Sequence, residues 1–104
     1  MANKKYRLRY LPLFEQDLMH TVSYIINVLK NPDAAEKLAN DVEMAIQERL
    51  NNPLAFEPYP SVKKRKYPYY RIYVRNYVVY YVVIEDVMEV RRFLYGARDT
   101  ERYL

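Results

Sequence analysis

The chain has no cysteine, one glycine and one histidine among its 104 residues, and each shortage closes off a class of chemistry. Without cysteine there can be no disulfide, no thiolate zinc site and no thiol nucleophile, and the composition points to a cytoplasmic, reducing compartment. Gly96 alone cannot build a glycine-rich phosphate loop, so the usual nucleotide-binding fingerprints are missing. His20 is the sole imidazole: serine–histidine catalysis would have to use it, and a histidine-based metal site would have one such ligand. Long apolar runs are also missing. No stretch approaches the roughly 18 uncharged residues of a membrane span. The polar, basic segment Met1–Arg9 is not followed by a signal-type apolar core. No membrane partner is expected.

What is present is tyrosine and positive charge, both unevenly placed. Nine of the 13 tyrosines fall between Val62 and Leu104. Residues 1–57 carry seven Lys/Arg and eight Asp/Glu, a net of −1, whereas residues 58–104 carry ten and five, a net of +5. Lys63, Lys64, Arg65 and Lys66 open the basic half, and Arg71, Arg75, Arg91, Arg92, Arg98 and Arg102 follow. Cations interleaved with aromatic rings suit nucleic acid, which offers both charge and flat faces, and they also suit an acidic protein. The alternative is that the rings fill a sheet and the cations are solvated.

The length fits one domain, residues 1–104, and an apolar content of 51% supports a packed core. Lys5 to Tyr10 alternates, with Lys5, Arg7 and Arg9 opposite Tyr6, Leu8 and Tyr10, which predicts a strand with one wet face. Phe14, Leu18, Val22, Ile25, Ile26 and Leu29 recur at helical spacing, with Pro12 in the first turn and Lys30 at the end. A second helix starts at Asn31-Pro32-Asp33, with Asn31 as N-cap and a stripe of Ala35, Leu38, Val42, Ala45, Ile46 and Leu50. So short a break makes the two helices an antiparallel hairpin. Leu54 to Pro68 reads as a proline-punctuated loop containing the basic run.

Three strands then follow, divided by Arg75-Asn76 and Glu85-Asp86. Tyr69–Val74 alternates. Tyr77–Ile84 is unbroken apolar or aromatic sequence, as a central strand covered on both faces requires. Val87–Tyr95 is read as alternating, with Met88, Val90 and Leu94 opposite Glu89, Arg91, Phe93 and Tyr95. The adjacent pairs Tyr69-Tyr70 and Tyr80-Tyr81 should each place one ring on either face. The expected fold is α+β, β-α-α-β-β-β, with the helical hairpin packed on an antiparallel sheet.

That order resembles the RelE/ParE superfamily of toxins from type II toxin–antitoxin systems. Four local patterns carry the likeness over nearly the whole chain. They are Asp17-Leu18 with Tyr24-Ile25; Asn31 to Glu36 followed by Ala45-Ile46, Leu50 and Pro53; Tyr70 to Val74 with Asn76-Tyr77 and Tyr80-Tyr81; and Val90 to Leu94 followed by Tyr95 to Asp99. The helical-hairpin pattern leans toward the ParE branch. The resemblance implies growth inhibition held in check by a small acidic antitoxin protein. It also implies one of two targets: the ribosome and its mRNA, cut in the RelE branch, or DNA gyrase, inhibited in the ParE branch without nuclease chemistry. No metal or cofactor is required by either.

Metal-free RNA cleavage needs a 2′-hydroxyl deprotonated, a phosphorane stabilised and a leaving oxygen protonated by side chains that converge at about 3 Å. Within the resemblance, the catalytic candidates are Arg71, Arg98, Tyr95 and Tyr103. Arg71 matches a basic sheet position of the RelE branch. Tyr95 stands where relatives often have histidine; tyrosine can donate a proton or stack on a base but is a poor base at neutral pH. Arg98 follows in the Gly96-x-Arg98-Asp99 pattern, and Tyr103 matches a C-terminal tyrosine. Lys63, Lys64, Arg65, Lys66, Arg75 and Arg91 are candidates for holding nucleic acid. The competing reading makes Arg71 a solvated strand residue, Arg75 a turn residue, Arg98 a surface ion-pair partner and Lys63–Lys66 a solvated loop. His20 is expected on the surface. One departure stands out: RelE enzymes carry a catalytic arginine where this chain has Val78. The first expectation is a toxin acting by ribosome-associated mRNA cleavage; the alternative is a ParE-like, non-enzymatic inhibitor of gyrase.

Overall fold

The two shortest connections in the basic half, Arg75-Asn76 and Glu85-Asp86, force tight turns, and their first residues hold φ of 54° and 56°. Such turns join antiparallel neighbours. The structure, a computed structural model, describes residues 5–60, 63–96 and 100–104. Its elements are β1 (Arg7–Tyr10), α1 (Pro12–Asn27), α2 (Pro32–Leu50), β2 (Tyr70–Val74), β3 (Tyr77–Ile84) and β4 (Val87–Tyr95), closed by a 3-10 turn at Thr100–Tyr103. This is the β-α-α-β-β-β order read from the sequence.

The strands lie in the order β1-β4-β3-β2. β2, β3 and β4 form an antiparallel meander. β1 is added beside β4 in parallel, Arg7 opposite Val87 and Tyr10 opposite Val90. The sheet is therefore mixed, and the antiparallel expectation holds for three of its four strands. Two helices separate β1 from the rest of the sheet, and a crossover of that length permits the parallel pairing that no tight turn could make.

The helical hairpin packs on one sheet face. Phe14, Ile25, Ala35, Leu38, Val42 and Ile46 meet Tyr70, Ile72, Val74, Val79, Tyr81, Met88, Val90 and Phe93. Asn31 caps α2, its side chain accepting a hydrogen bond from the Ala34 N–H at 3.2 Å. A second apolar cluster lies on the opposite face: Tyr69, Val78, Tyr80, Val82 and Leu94, with Tyr59, Tyr67, Ile84 and Leu104 packed against it. β3 is thus covered on both sides, as its unbroken apolar run requires. The tyrosine pairs divide as expected: Tyr70 stacks on Tyr81 at 5.3 Å under the helices, and Tyr69 meets Tyr80 edge-on at 6.2 Å on the second face.

Two expectations need correction. Helix α1 ends at Asn27, and Lys30 takes φ 55° in the turn that follows, so the predicted stripe stops short. Ile26 and Leu29 are 39% and 56% exposed and leave the core. In β4, the alternation breaks at a bulge: Tyr80 pairs with Arg92 but Tyr81 with Val90, leaving Arg91 as the extra residue. An extra residue reverses the face of everything after it. Phe93 therefore joins Met88 and Val90 under the helices, and Leu94 moves to the second face.

Candidate functional site

Three of the guanidinium groups expected to face a polyanion, those of Arg75, Arg91 and Arg92, are engaged by carboxylates of their own chain. Glu89, on β4, is 5% exposed. Arg9 on β1 donates to its Oε2 through Nε at 2.8 Å, and Arg91 donates to its Oε1 through Nε at 2.8 Å. Burial raises the Glu89 pKa, but the bonds and charges of Arg9 and Arg91 outweigh it and hold the carboxyl below the ordinary range. Burial opposes the Arg91 charge, but Tyr69 and Glu89 outweigh it and push the guanidinium pKa up. Arg75, in the β2–β3 turn, reaches back to α2, its Nη2 2.7 Å from Asp41 Oδ2. Arg7 pairs with Asp86 at 3.2 Å.

At the other end of β4, β1 no longer covers the strand edge. Asp17 of α1 takes its place, accepting from Arg92 Nε at 2.7 Å, from Arg92 Nη2 at 3.0 Å and from the Phe93 N–H at 3.0 Å. Its hydrogen bonding raises the Arg92 pKa. Arg92 also donates to the Tyr103 carbonyl at 3.0 Å and lies 5.6 Å from the Tyr103 ring, tying the C-terminal turn to the sheet. Beside this knot runs a groove of about 610 Å³ between α1 and the end of β4, lined by His20, Tyr24, Tyr77, Tyr95 and Tyr103. Tyr95 and Tyr103 are 44% and 40% exposed there. His20, expected at the surface, is exposed at its rim.

Arg71 is elsewhere. It lies on β2, the far edge strand, level with Tyr80 and, through it, with Arg92. Two strand spacings, roughly 10 Å, and three further residues along the strand separate it from Tyr95. Its guanidinium sits 4.9 Å from the Tyr59 ring centroid and 5.6 Å from that of Tyr73. The basic run flanks the same face: Arg65 lies 5.0 Å from the Tyr69 ring and Lys66 5.5 Å from the Tyr67 ring, with Lys63 and Lys64 exposed. Arg98 lies outside the described residues. The structure thus places Tyr95 and Tyr103 on one groove, whose lining does not include Arg71, Arg75 or Arg91. Val78 is 4% exposed, packed in the second-face cluster. Among the described residues, no group of three His, Asp or Glu side chains is placed to share a metal ion.

Sequence reasoning missed Asp17, Glu89, Arg92 and Arg49. Arg49 donates to the Arg71 carbonyl at 2.9 Å and to Tyr81 Oη at 3.0 Å, while its guanidinium covers the Phe56 ring at 3.6 Å. Glu89 had a signal: it is the one acid between Val87 and Tyr95. Asp17 carried no sign of its partners, since nothing in α1 marks where Arg92 and Phe93 will lie.

Residues 8–100 match the family model of the ParE toxin of the type II toxin–antitoxin system parDE. The chain belongs to that family. The toxin's fold is shared by a chain of the chromosomal ParDE TA system from P. aeruginosa, at TM-score 0.72 and 14% identity, covering 88% of this toxin and 97% of that chain. The E. coli DinJ-YafQ complex contains a similar chain at TM-score 0.58 and 13% identity, with 88% and 94% covered. YafQ from E. coli matches at TM-score 0.54 and 16% identity, again over 88% and 94%. No curated protein matches this toxin in sequence. No helix among its described residues is long and apolar enough to cross a membrane.

Proposed function

We propose that this toxin inhibits growth by docking onto a protein target, DNA gyrase, rather than by cutting mRNA. The observation that carries this reading is the engagement of Arg9, Arg75, Arg91 and Arg92 by Glu89, Asp41 and Asp17. A guanidinium held by its own carboxylate is not available to a developing phosphorane without first breaking that pair. The ParE family match and the buried Val78 support the same reading. Purified toxin should block supercoiling by gyrase at saturation while leaving a reporter mRNA intact on translating ribosomes. Full supercoiling activity at saturating toxin excludes this target.

One observation favours the second reading, ribosome-associated mRNA cleavage. Tyr95 and Tyr103 line one groove together with Arg92, so two of the expected catalytic groups do share a site. Pulse labelling after induction separates the two: early loss of DNA synthesis supports gyrase, and early loss of protein synthesis supports RNA cleavage.

In either case the proposed neutralising partner is a small acidic antitoxin. The exposed apolar residues Met19 and Ile26 on α1, with Val28 and Leu29 just beyond its end, suit the apolar side of an amphipathic segment.

A further inference from the structure

Arg71 differs from the other arginines of the strands in what its guanidinium touches. Arg7, Arg9, Arg91 and Arg92 each bond a carboxylate. The Arg71 guanidinium makes no hydrogen bond or ion pair among the described residues, and is held only against the Tyr59 and Tyr73 rings. Ring contacts fix the group without using its five N–H donors, which match a carboxylate in fork geometry. Tyr73, two residues along the same face, is 66% exposed. Arginine and tyrosine are the residue types that dominate docking energies. The loop that carries Tyr59 also carries the exposed Lys64 and Lys66.

β2 is also an outer strand of the sheet. The Tyr69 carbonyl accepts from the Tyr59 N–H at 2.6 Å, and the Arg71 carbonyl from Arg49, so the odd-numbered backbone groups of β2 face outward. By the same alternation the Tyr73 amide and carbonyl point outward. Outward groups of this kind pair with another peptide backbone, which a sugar–phosphate chain cannot supply.

We propose that Arg71 and Tyr73, with the outward amide and carbonyl of Tyr73 at the edge of β2, form the toxin's target-docking site, and that the target presents an extended acidic segment there. A carboxylate of that segment meets the Arg71 fork and an apolar side chain lies against Tyr73. The inference rests on the docking reading above and names the surface and partner chemistry for it.

The test uses wild-type toxin, Arg71→Gln, Arg71→Lys and Tyr73→Ser, each first checked for an unchanged thermal midpoint. Arg71→Lys keeps the charge and removes the fork. The probes are a fluorescent peptide of about ten residues alternating Glu and Thr, a single-stranded RNA of equal net charge, and gyrase itself. Peptide affinity should fall about tenfold or more in Arg71→Gln and severalfold in Arg71→Lys and Tyr73→Ser. Inhibition of supercoiling should fall in the same order. Peptide binding that is unchanged across the variants overturns the inference. So does RNA bound more tightly than the peptide with the same dependence on Arg71. If wild-type toxin and Arg71→Gln inhibit gyrase equally, the site is wrong and the gyrase reading stands. If the peptide series behaves as expected while wild-type toxin leaves gyrase active, the gyrase reading is wrong and the site stands.

Discussion

Asp17 and Arg92 form a two-point ion pair, Oδ2 to Nε at 2.7 Å and Oδ1 to Nη2 at 3.0 Å, with both side chains about 15% exposed. The same carboxylate accepts the Phe93 N–H, so a side chain of α1 satisfies a sheet edge that β1 is too short to cover. Removing one partner of such a pair strands the other. Asp17→Ala should lower stability by about 3 kcal/mol or more in urea unfolding. Asp17→Asn keeps an oxygen for the Phe93 N–H and should cost less. Because Arg92 also holds the Tyr103 carbonyl, both changes should loosen the C-terminal turn, seen as faster amide exchange there.

Glu89 makes a pH prediction. Its folded pKa lies below the ordinary carboxylate value because Arg9 and Arg91 outweigh the cost of burial. A depressed folded value means the stabilisation is fully present above the unfolded pKa and is lost as pH falls through the folded one. Wild-type protein should therefore lose stability on acidification through that window. Glu89→Gln should begin about 2 kcal/mol less stable at neutral pH, from weakened charge-assisted bonds, and show a shallower acid slope. Thermal midpoints measured from neutral to acid pH would check both.

Tyr81 is fully buried, and its hydroxyl donates to the Pro53 carbonyl at 2.7 Å while accepting from Arg49 at 3.0 Å. Burial raises its pKa, and the Arg49 bond pulls the other way. Tyr81→Phe leaves the Pro53 carbonyl without that donor and should cost about 1–3 kcal/mol by denaturant titration. The loop after α2 should become more susceptible to protease.

Val78 offers a test of the chemistry. Introducing arginine here, as RelE enzymes have, would place a charge among Tyr69, Tyr80 and Leu94 with no acid beside it in that cluster. Val78→Arg should lose several kcal/mol of stability and gain no RNA cleavage. A folded, RNA-cleaving variant would contradict the buried role of this position.

Much of the architecture was legible because it is written in periodicity. The unbroken run Tyr77–Ile84 and the paired tyrosines follow directly from which faces are covered. The bulge at Arg91 was not legible, since it depends on cross-strand register rather than on β4 alone. Nor was the parallel addition of β1, which depends on where the helical hairpin delivers the chain. At the candidate site, residue types were visible and partners were not. Arg91 and Arg71 look alike in the sequence; one meets Glu89 and the other meets two rings, and only tertiary placement separates them.

The pairing of β1 with β4 sets a rule for synthesis. Arg9 finds Glu89 across 80 positions of sequence, so β1 stays unmatched on the ribosome until β4 has been made. Contacts so remote in sequence form late and slowly. A nascent copy therefore cannot complete its sheet before β4 has been made.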